Sequence, residues 1–170
     1  MRELYQVWSS DLTHEQVDRI LALAMEQTEE EATLFSSSDS IRGIRTCRVR
    51  WLTDEWLKTL LWSYVDRANN RAFQVAIEPR AEMQVTEYSA EQAAHYDWHH
   101  DVHWNGQSDF DRKLSITVQL SESDAYEGGD FEFDEVKTNA DFRSMGTVLV
   151  FPSYLRHRIH PVTAGTRRAL

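Results

Sequence analysis

A chain of 170 residues with 41% hydrophobic residues, including six Trp, six Tyr and seven Phe, amounts to about one domain with enough apolar mass to bury a core. The formal net charge of −10 excludes a nucleic-acid backbone as the main partner, because no basic stripe is available to release counterions. Cys47 is the single cysteine, so an intramolecular disulfide is excluded and a reducing, cytoplasmic setting is predicted; no apolar run approaches the roughly 20 residues of a membrane span, and Met1 to Tyr5 lack the apolar segment of a signal peptide.

In chain order, Thr13 with Gln16 reads as a capping box opening a helix with Val17, Ile20, Leu21 and Ala24 on one face. The serine-rich stretch at 36–40 reads as a surface loop. Arg42, Arg45, Arg48 and Arg50 sit close together, as do Arg156, Arg158, Arg167 and Arg168, and such alternation predicts a solvated strand face. Thr53, with Asp54 and Glu55 in the first turn, opens a second helix through Trp56, Leu57, Leu60, Leu61, Tyr64, Val65 and Ala68. After Ala72 the pattern becomes short β-rich pieces at 73–77, 83–88, 114–120, 131–133, 147–151, 156–160 and 167–170. Turn chemistry separates them at Glu78-Pro79, Gly128-Gly129, Gly146 and Ala164-Gly165. The predicted class is mainly β with flanking helices (α+β). A helical support region spans about 1–72 and a sandwich or barrel about 73–170, in one domain over 1–170.

The segment HYDWHHDVHW at 95–104 holds four of the seven histidines. Side chains at i and i+2 of a strand share a face, so a His-x-Asp pair in extended backbone can converge on one ion. Two registers fit, His95-x-Asp97 and His99-x-Asp101. Alone the motif is weak, because this composition yields about one His-x-acid pair by chance. A third ligand has to come from another strand, and His157 and His160 are the distant candidates; His14 falls in a helix start and reads as solvent-exposed. Two histidines and one carboxylate on adjacent strands make a facial triad that leaves positions open on Fe(II). Structural zinc fits less well, since such sites use four protein ligands, often thiolates. A 2-oxo dicarboxylate bound to such an ion would need a buried cation for its far carboxylate, and an arginine fork suits it. Arg167 lies one short hairpin after His157.

At this point the chain resembles the Fe(II)/2-oxoglutarate-dependent dioxygenases of the prolyl 4-hydroxylase type, and is especially similar to their PKHD-type bacterial and phage relatives. Ordered blocks from Met83 to Leu170 carry the resemblance: Glu87-Tyr88; Tyr96-Asp97-Trp98-His99-x-Asp101; the strand from Lys113 to Leu120; Tyr126-Glu127-Gly128-Gly129-Asp130-Phe131; Gly146-Thr147 through Phe151-Pro152-Ser153; and His157 with Pro161-Val162 and Gly165-x-Arg167. The resemblance implies a double-stranded β-helix (jelly-roll, cupin-like) core with the N-terminal helices packed outside. His99, Asp101 and His157 match the metal ligands, Arg167 the residue gripping the 5-carboxylate of 2-oxoglutarate, and Tyr88 a tyrosine lining the cosubstrate pocket. His95-x-Asp97 then becomes a decoy register. His100 points away from His99, His103 reads as an exposed loop imidazole, and His160 stands too close to Arg167 for the pattern. Relatives usually carry a glycine in the turn between the two tyrosines, and residues 89–95 have none. The implied cofactors are Fe(II), 2-oxoglutarate and O2, with ascorbate as an accessory. The implied activity is hydroxylation of an unactivated C–H bond, foremost of a prolyl residue in a peptide or protein, with release of succinate and CO2. Rival readings are a small molecule or another protein side chain as substrate, or a non-catalytic metal-binding module on the same fold. The polar segment between Asp101 and Lys113 reads either as a substrate-covering loop or as a plain long connection.

Overall fold

The computed structural model describes residues 3–32, 44–102, 110–138 and 140–170. The serine-rich stretch 36–40, Arg42, His103 and the polar positions 104–108 lie outside the described residues.

Helix α1 (His14–Met25) begins where its capping box requires. The Thr13 hydroxyl accepts from the Gln16 N–H, and the Gln16 amide oxygen accepts from the Thr13 N–H. Helix α2 (Glu55–Ala68) is capped by Asp54 rather than Thr53: the Asp54 carboxylate accepts from the Leu57 N–H at 2.8 Å. A carboxylate at this position also faces the positive end of the helix, which a hydroxyl exploits less. The apolar stripes of both helices bury Val17, Ile20, Leu57, Leu61 and Tyr64 against Met83, Val85, Val118, Val148 and Val150. The helices therefore cover one outer face of the β-structure.

Twelve strands are described: β1 (Gln6–Trp8), β2 (Glu30–Glu31), β3 (Arg45–Thr46), β4 (Arg48–Leu52), β5 (Met83–Ser89), β6 (His95–His99), β7 (Leu114–Val118), β8 (Tyr126–Gly128), β9 (Phe131–Phe133), β10 (Val148–Pro152), β11 (His157–Ile159) and β12 (Val162–Ala169). One layer joins β2-β4-β5-β12-β8 to β1-β10-β7, through a bridge between Gln119 and Ala169 and paired bonds between Val118 and Leu170. The other layer is β3-β6-β11-β9. Neighbours in both are antiparallel. Two such layers of an antiparallel jelly roll form the double-stranded β-helix expected from the sequence.

Several local expectations are corrected. Residues 73–77 do not form a strand. The helix continues through a wide turn (Asn69–Phe73) and stops at Gln74, whose φ is 55°. The Asn69 side chain then brackets Val75, donating to its carbonyl and accepting from its N–H, both at 2.9 Å. Those backbone groups are thereby taken out of any ladder. Four strands precede α2 in the region read as helical support; three of them have two or three residues, too short for alternation to mark, and the fourth, β4, carries the arginine alternation. Tyr126–Gly128, outside the strands expected from the sequence, pairs with β12.

The arginine runs do not form one solvated face. Arg48 and Arg50 both pair with Glu29, whereas Arg45 is buried. Arg156, Arg158 and Arg168 pair outward with Asp134, Glu132 and Glu87, whereas Arg167 is buried. The missing turn glycine is replaced by Ala93 at φ 45°, closing a single 3-10 turn (Ala90–Gln92). An alanine in this left-handed conformation costs about 1–2 kcal/mol, offset here by the bonds from Ala93 N–H to Ala90 O and from Ala94 N–H to Ser89 O.

Candidate metal centre

Antiparallel pairing sets His157, at the start of β11, directly opposite His99, at the end of β6. The next residues turn away. His100 faces the opposite side, where its ring meets the Tyr154 carbonyl at 2.7 Å. Asp101 is fastened by its N–H to the Ser153 carbonyl at 2.9 Å, beyond the end of β10. His99, Asp101 and His157 thus converge, with one ligand atom from each lying within 4.8 Å of the others. Each Nε2 stands 3.6 Å from a different oxygen of the Asp101 carboxylate.

The chemistry of this donor set fits a cation. Each imidazole is turned by its own chain: His99 Nδ1 donates to the Asp97 carbonyl at 2.7 Å, and His157 Nδ1 to the Leu155 carbonyl at 2.9 Å. With the proton on Nδ1, each Nε2 presents a bare lone pair to the carboxylate. Burial, reinforced by the neighbouring His157, pulls the His99 pKa down to about 3, so that ring is neutral at physiological pH. Burial would raise the Asp101 carboxyl, but the two imidazoles and the Ser115 hydroxyl, which donates at 2.6 Å, outweigh it and hold the carboxyl below its usual range. Ser153 lies 2.9 Å from Ser115 and extends this support. Two imidazole nitrogens and one carboxylate aimed at a common point suit a positive charge between them. Oxygen and imidazole donors on three corners, with no thiolate, suit Fe(II) with positions left open.

Tyr96 stacks on His99 with ring centroids 3.3 Å apart and planes 7° apart. Residues three apart on a regular strand face opposite sides, yet these two share one. The reason is a bulge: β11 pairs His157 with His99 and Ile159 with Tyr96, so three steps on β6 oppose two on β11. Phe131 stacks on the His157 ring and Phe151 meets it edge-on, closing the apolar side of the site.

From the other layer, β12 carries Arg167, paired across the ladder with Tyr88 of β5. Arg167 is 3% exposed and its guanidinium lies 5.6 Å from the Tyr88 ring centroid. The stem of Arg167 runs beside Gly129: a Cβ there would stand 3.1 Å from Arg167 Cδ and 2.9 Å from a Val162 methyl. Burial raises the Tyr88 phenol well above its ordinary value, so it stays protonated. A cavity of about 660 Å³ is lined by His99, Asp101, His157, Tyr88 and Arg167 together with Arg45 and Tyr96. That volume suits a small molecule plus part of a second one.

All five residues singled out from the sequence therefore meet in one cavity. The decoy register does not form a site: His95 Nδ1 lies 3.0 Å from the Ala93 carbonyl, Asp97 is exposed, and its carboxylate accepts from the Trp98 N–H. His160 pairs with Glu132 at 2.7 Å, and His14 is exposed at the start of α1. Sequence reasoning passed over Ser115, Ser153, Tyr96 and Arg45. Ser115, Ser153 and Tyr96 each fell within a block that carries the resemblance, with no role given to them, and Arg45 stood in an arginine run expected to face solvent.

Comparisons with known proteins bear on the family and the fold. The PKHD-type hydroxylase of Synechococcus sp. (strain CC9311) is 29% identical over 142 residues, covering 81% of this chain and 62% of the relative. That of Crocosphaera subtropica is 30% identical over 100 residues, covering 58% and 45%. The chain thus spans less than two thirds of the length of either relative. Among solved structures, a Pseudomonas putida prolyl-4-hydroxylase superposes with a TM-score of 0.73 at 20% identity, covering 98% of this chain and 89% of the other. A Trichoplax adhaerens prolyl hydroxylase, in complex with a hypoxia-inducible-factor oxygen degradation domain peptide fragment, gives 0.74 at 21% identity, covering 98% and 80%. The family model of the 2OG-Fe(II) oxygenase superfamily matches residues 83–170, the span that holds the imidazole pair, the carboxylate and the buried guanidinium, and the chain belongs to that superfamily.

Proposed function

We propose that the protein is an Fe(II)- and 2-oxoglutarate-dependent dioxygenase that hydroxylates an unactivated C–H bond, with a prolyl residue of a peptide or protein as its substrate. The observation that carries this reading is the buried Arg167 lining the same cavity as the converging His99, Asp101 and His157. A bare metal-binding module has no use for a buried guanidinium in the same cavity with no carboxylate paired to it among the described residues. A dicarboxylic 2-oxo acid would use both features, the ion for its oxo acid end and the Arg167 fork for its far carboxylate.

In this reading His99, Asp101 and His157 hold Fe(II), which with 2-oxoglutarate and O2 supplies the oxidising power, releasing succinate and CO2. The chain itself positions and shields. The carbonyls of Asp97 and Leu155 keep both rings aimed, and Ser115 fixes one carboxylate oxygen of Asp101. Arg167 and the protonated Tyr88 orient the cosubstrate, while Phe131 and Phe151 exclude water behind His157. The prolyl assignment is supported by the PKHD-type relatives and by the prolyl hydroxylases that share the fold.

The test begins without oxygen. Adding Fe(II) and 2-oxoglutarate together should produce a weak visible charge-transfer band that neither gives alone. Admitting air should form succinate, and a panel of proline-containing peptides should yield a member heavier by one oxygen. No band and no succinate would end the dioxygenase reading; succinate with every peptide unmodified would end the prolyl one.

A further inference from the structure

Arg45 is a second buried cation in the same cavity, and the function proposed above leaves it unused. It lies on β3, paired across the ladder with Tyr96 of β6, and is 9% exposed. Its Nε donates to Cys47 Sγ at 3.1 Å, and its guanidinium carbon stands 4.7 Å from the Tyr96 ring centroid. His99 already occupies one face of that ring at stacking distance, so the guanidinium takes the other. The groups that face Arg45 are a thiol and the phenols of Tyr88 and Tyr96, none of them a carboxylate. No carboxylate pairs with it among the described residues. At the cavity rim Arg112 pairs with Glu82 and Arg80 with Glu78; Lys58, Asp111 and Lys113 also line it, Lys113 donating to the Ala76 carbonyl. Among the described residues that line the cavity, Asp101 is the one carboxylate not exposed to solvent, and it shares the interior with the buried Arg45 and Arg167.

The charge count then points outward. A divalent ion and Arg167 are balanced by Asp101 and a dicarboxylate cosubstrate, which leaves the Arg45 charge uncompensated. A buried guanidinium without an anion is costly to keep, and a planar fork with free N–H groups matches a carboxylate. Tyr96 separates it from the imidazole of the metal site, a position suited to a substrate rather than to the cosubstrate.

We propose that Arg45, stacked on Tyr96 beside the metal centre, is a substrate-recognition residue that binds a carboxylate of the substrate. The assignment rests on the dioxygenase reading above and adds the substrate's chemical class: a proline-containing acid, through its own α-carboxylate or that of a neighbouring acidic residue.

Binding tests this without turnover. Protein loaded with Co(II) and saturating 2-oxoglutarate is titrated calorimetrically with matched acid and amide pairs: acetyl-proline against acetyl-prolinamide, and acetyl-Gly-Pro-Glu-amide against acetyl-Gly-Pro-Gln-amide. The acid of at least one pair should bind roughly ten- to a hundredfold more tightly. Arg45→Met should erase that preference and Arg45→Lys should keep part of it. Both variants should hold Co(II) and 2-oxoglutarate as the parent does, whereas Arg167→Met should lose 2-oxoglutarate. Equal binding of acid and amide in every pair, no binding by any of them, or a preference that survives in Arg45→Met would overturn the proposal. So would loss of Co(II) or of 2-oxoglutarate in Arg45→Met, which would make the residue structural or part of the cosubstrate site. The Fe(II)–2-oxoglutarate band is recorded on the same preparation: its absence is a failure of the parent reading, and its presence without an acid preference is a failure of this one.

Discussion

At the scale of single residues, the site divides into groups that hold and groups that aim. Asp101 is the only anion of the triad and is anchored by both backbone and hydroxyl bonds. Asp101→Ala should therefore abolish retention of Fe(II) as well as turnover, checked by metal analysis after desalting. Retained activity would refute its role as a ligand. Arg167→Ala should raise the 2-oxoglutarate requirement by roughly ten- to a hundredfold, the range for a lost charged hydrogen bond, with metal content unchanged. Gly129→Ala should act on the same readout from a distance. Its φ of 63° disfavours a side chain, and the new methyl would press on the stem of Arg167. Cys47 is buried, and burial pushes its thiol up despite the neighbouring Arg45. A disulfide reagent at neutral pH should label it slowly in the native protein and rapidly in denaturant. Fast native labelling would show that the wall behind Arg45 opens.

At the scale of elements, the helices and the main strands were legible because each carries its own periodicity and punctuation. Asp54→Ala tests this locally. Removing the cap of α2 should cost about 1 kcal/mol of unfolding free energy, read from denaturant midpoints, without altering cosubstrate binding. What could not be read was decided by pairing between elements. Two-residue strands such as β2 and β3 exist only because β4 and β6 offer ladders. The 73–77 stretch had strand composition, but the Asn69 side chain claimed its backbone groups. The convergence of His99, Asp101 and His157 was legible through family resemblance more than through spacing, since His95-x-Asp97 offered the same motif. The bulge that puts Tyr96 over His99 left no mark in composition. Nor did the inward aim of Arg45, which sits in a run whose neighbours Arg48 and Arg50 pair outward.

At the scale of the whole molecule, the ligands come from two strands and one loop joined only through the fold. Metal binding should therefore stabilise the entire chain rather than one segment. With ion at about a hundredfold over its dissociation constant, linkage predicts roughly 2.7 kcal/mol of added stability, seen as a higher melting temperature that Asp101→Ala does not share. The tethering of each imidazole to a carbonyl two residues back in its own chain has a wider consequence. The cradle is preorganised by local backbone geometry and does not wait for its guest. A rigid nest of this kind cannot discriminate among similarly sized divalent ions by closing around one of them. Nickel and cobalt should displace iron in the order of their intrinsic affinities, and the identity of the resident ion would follow from supply.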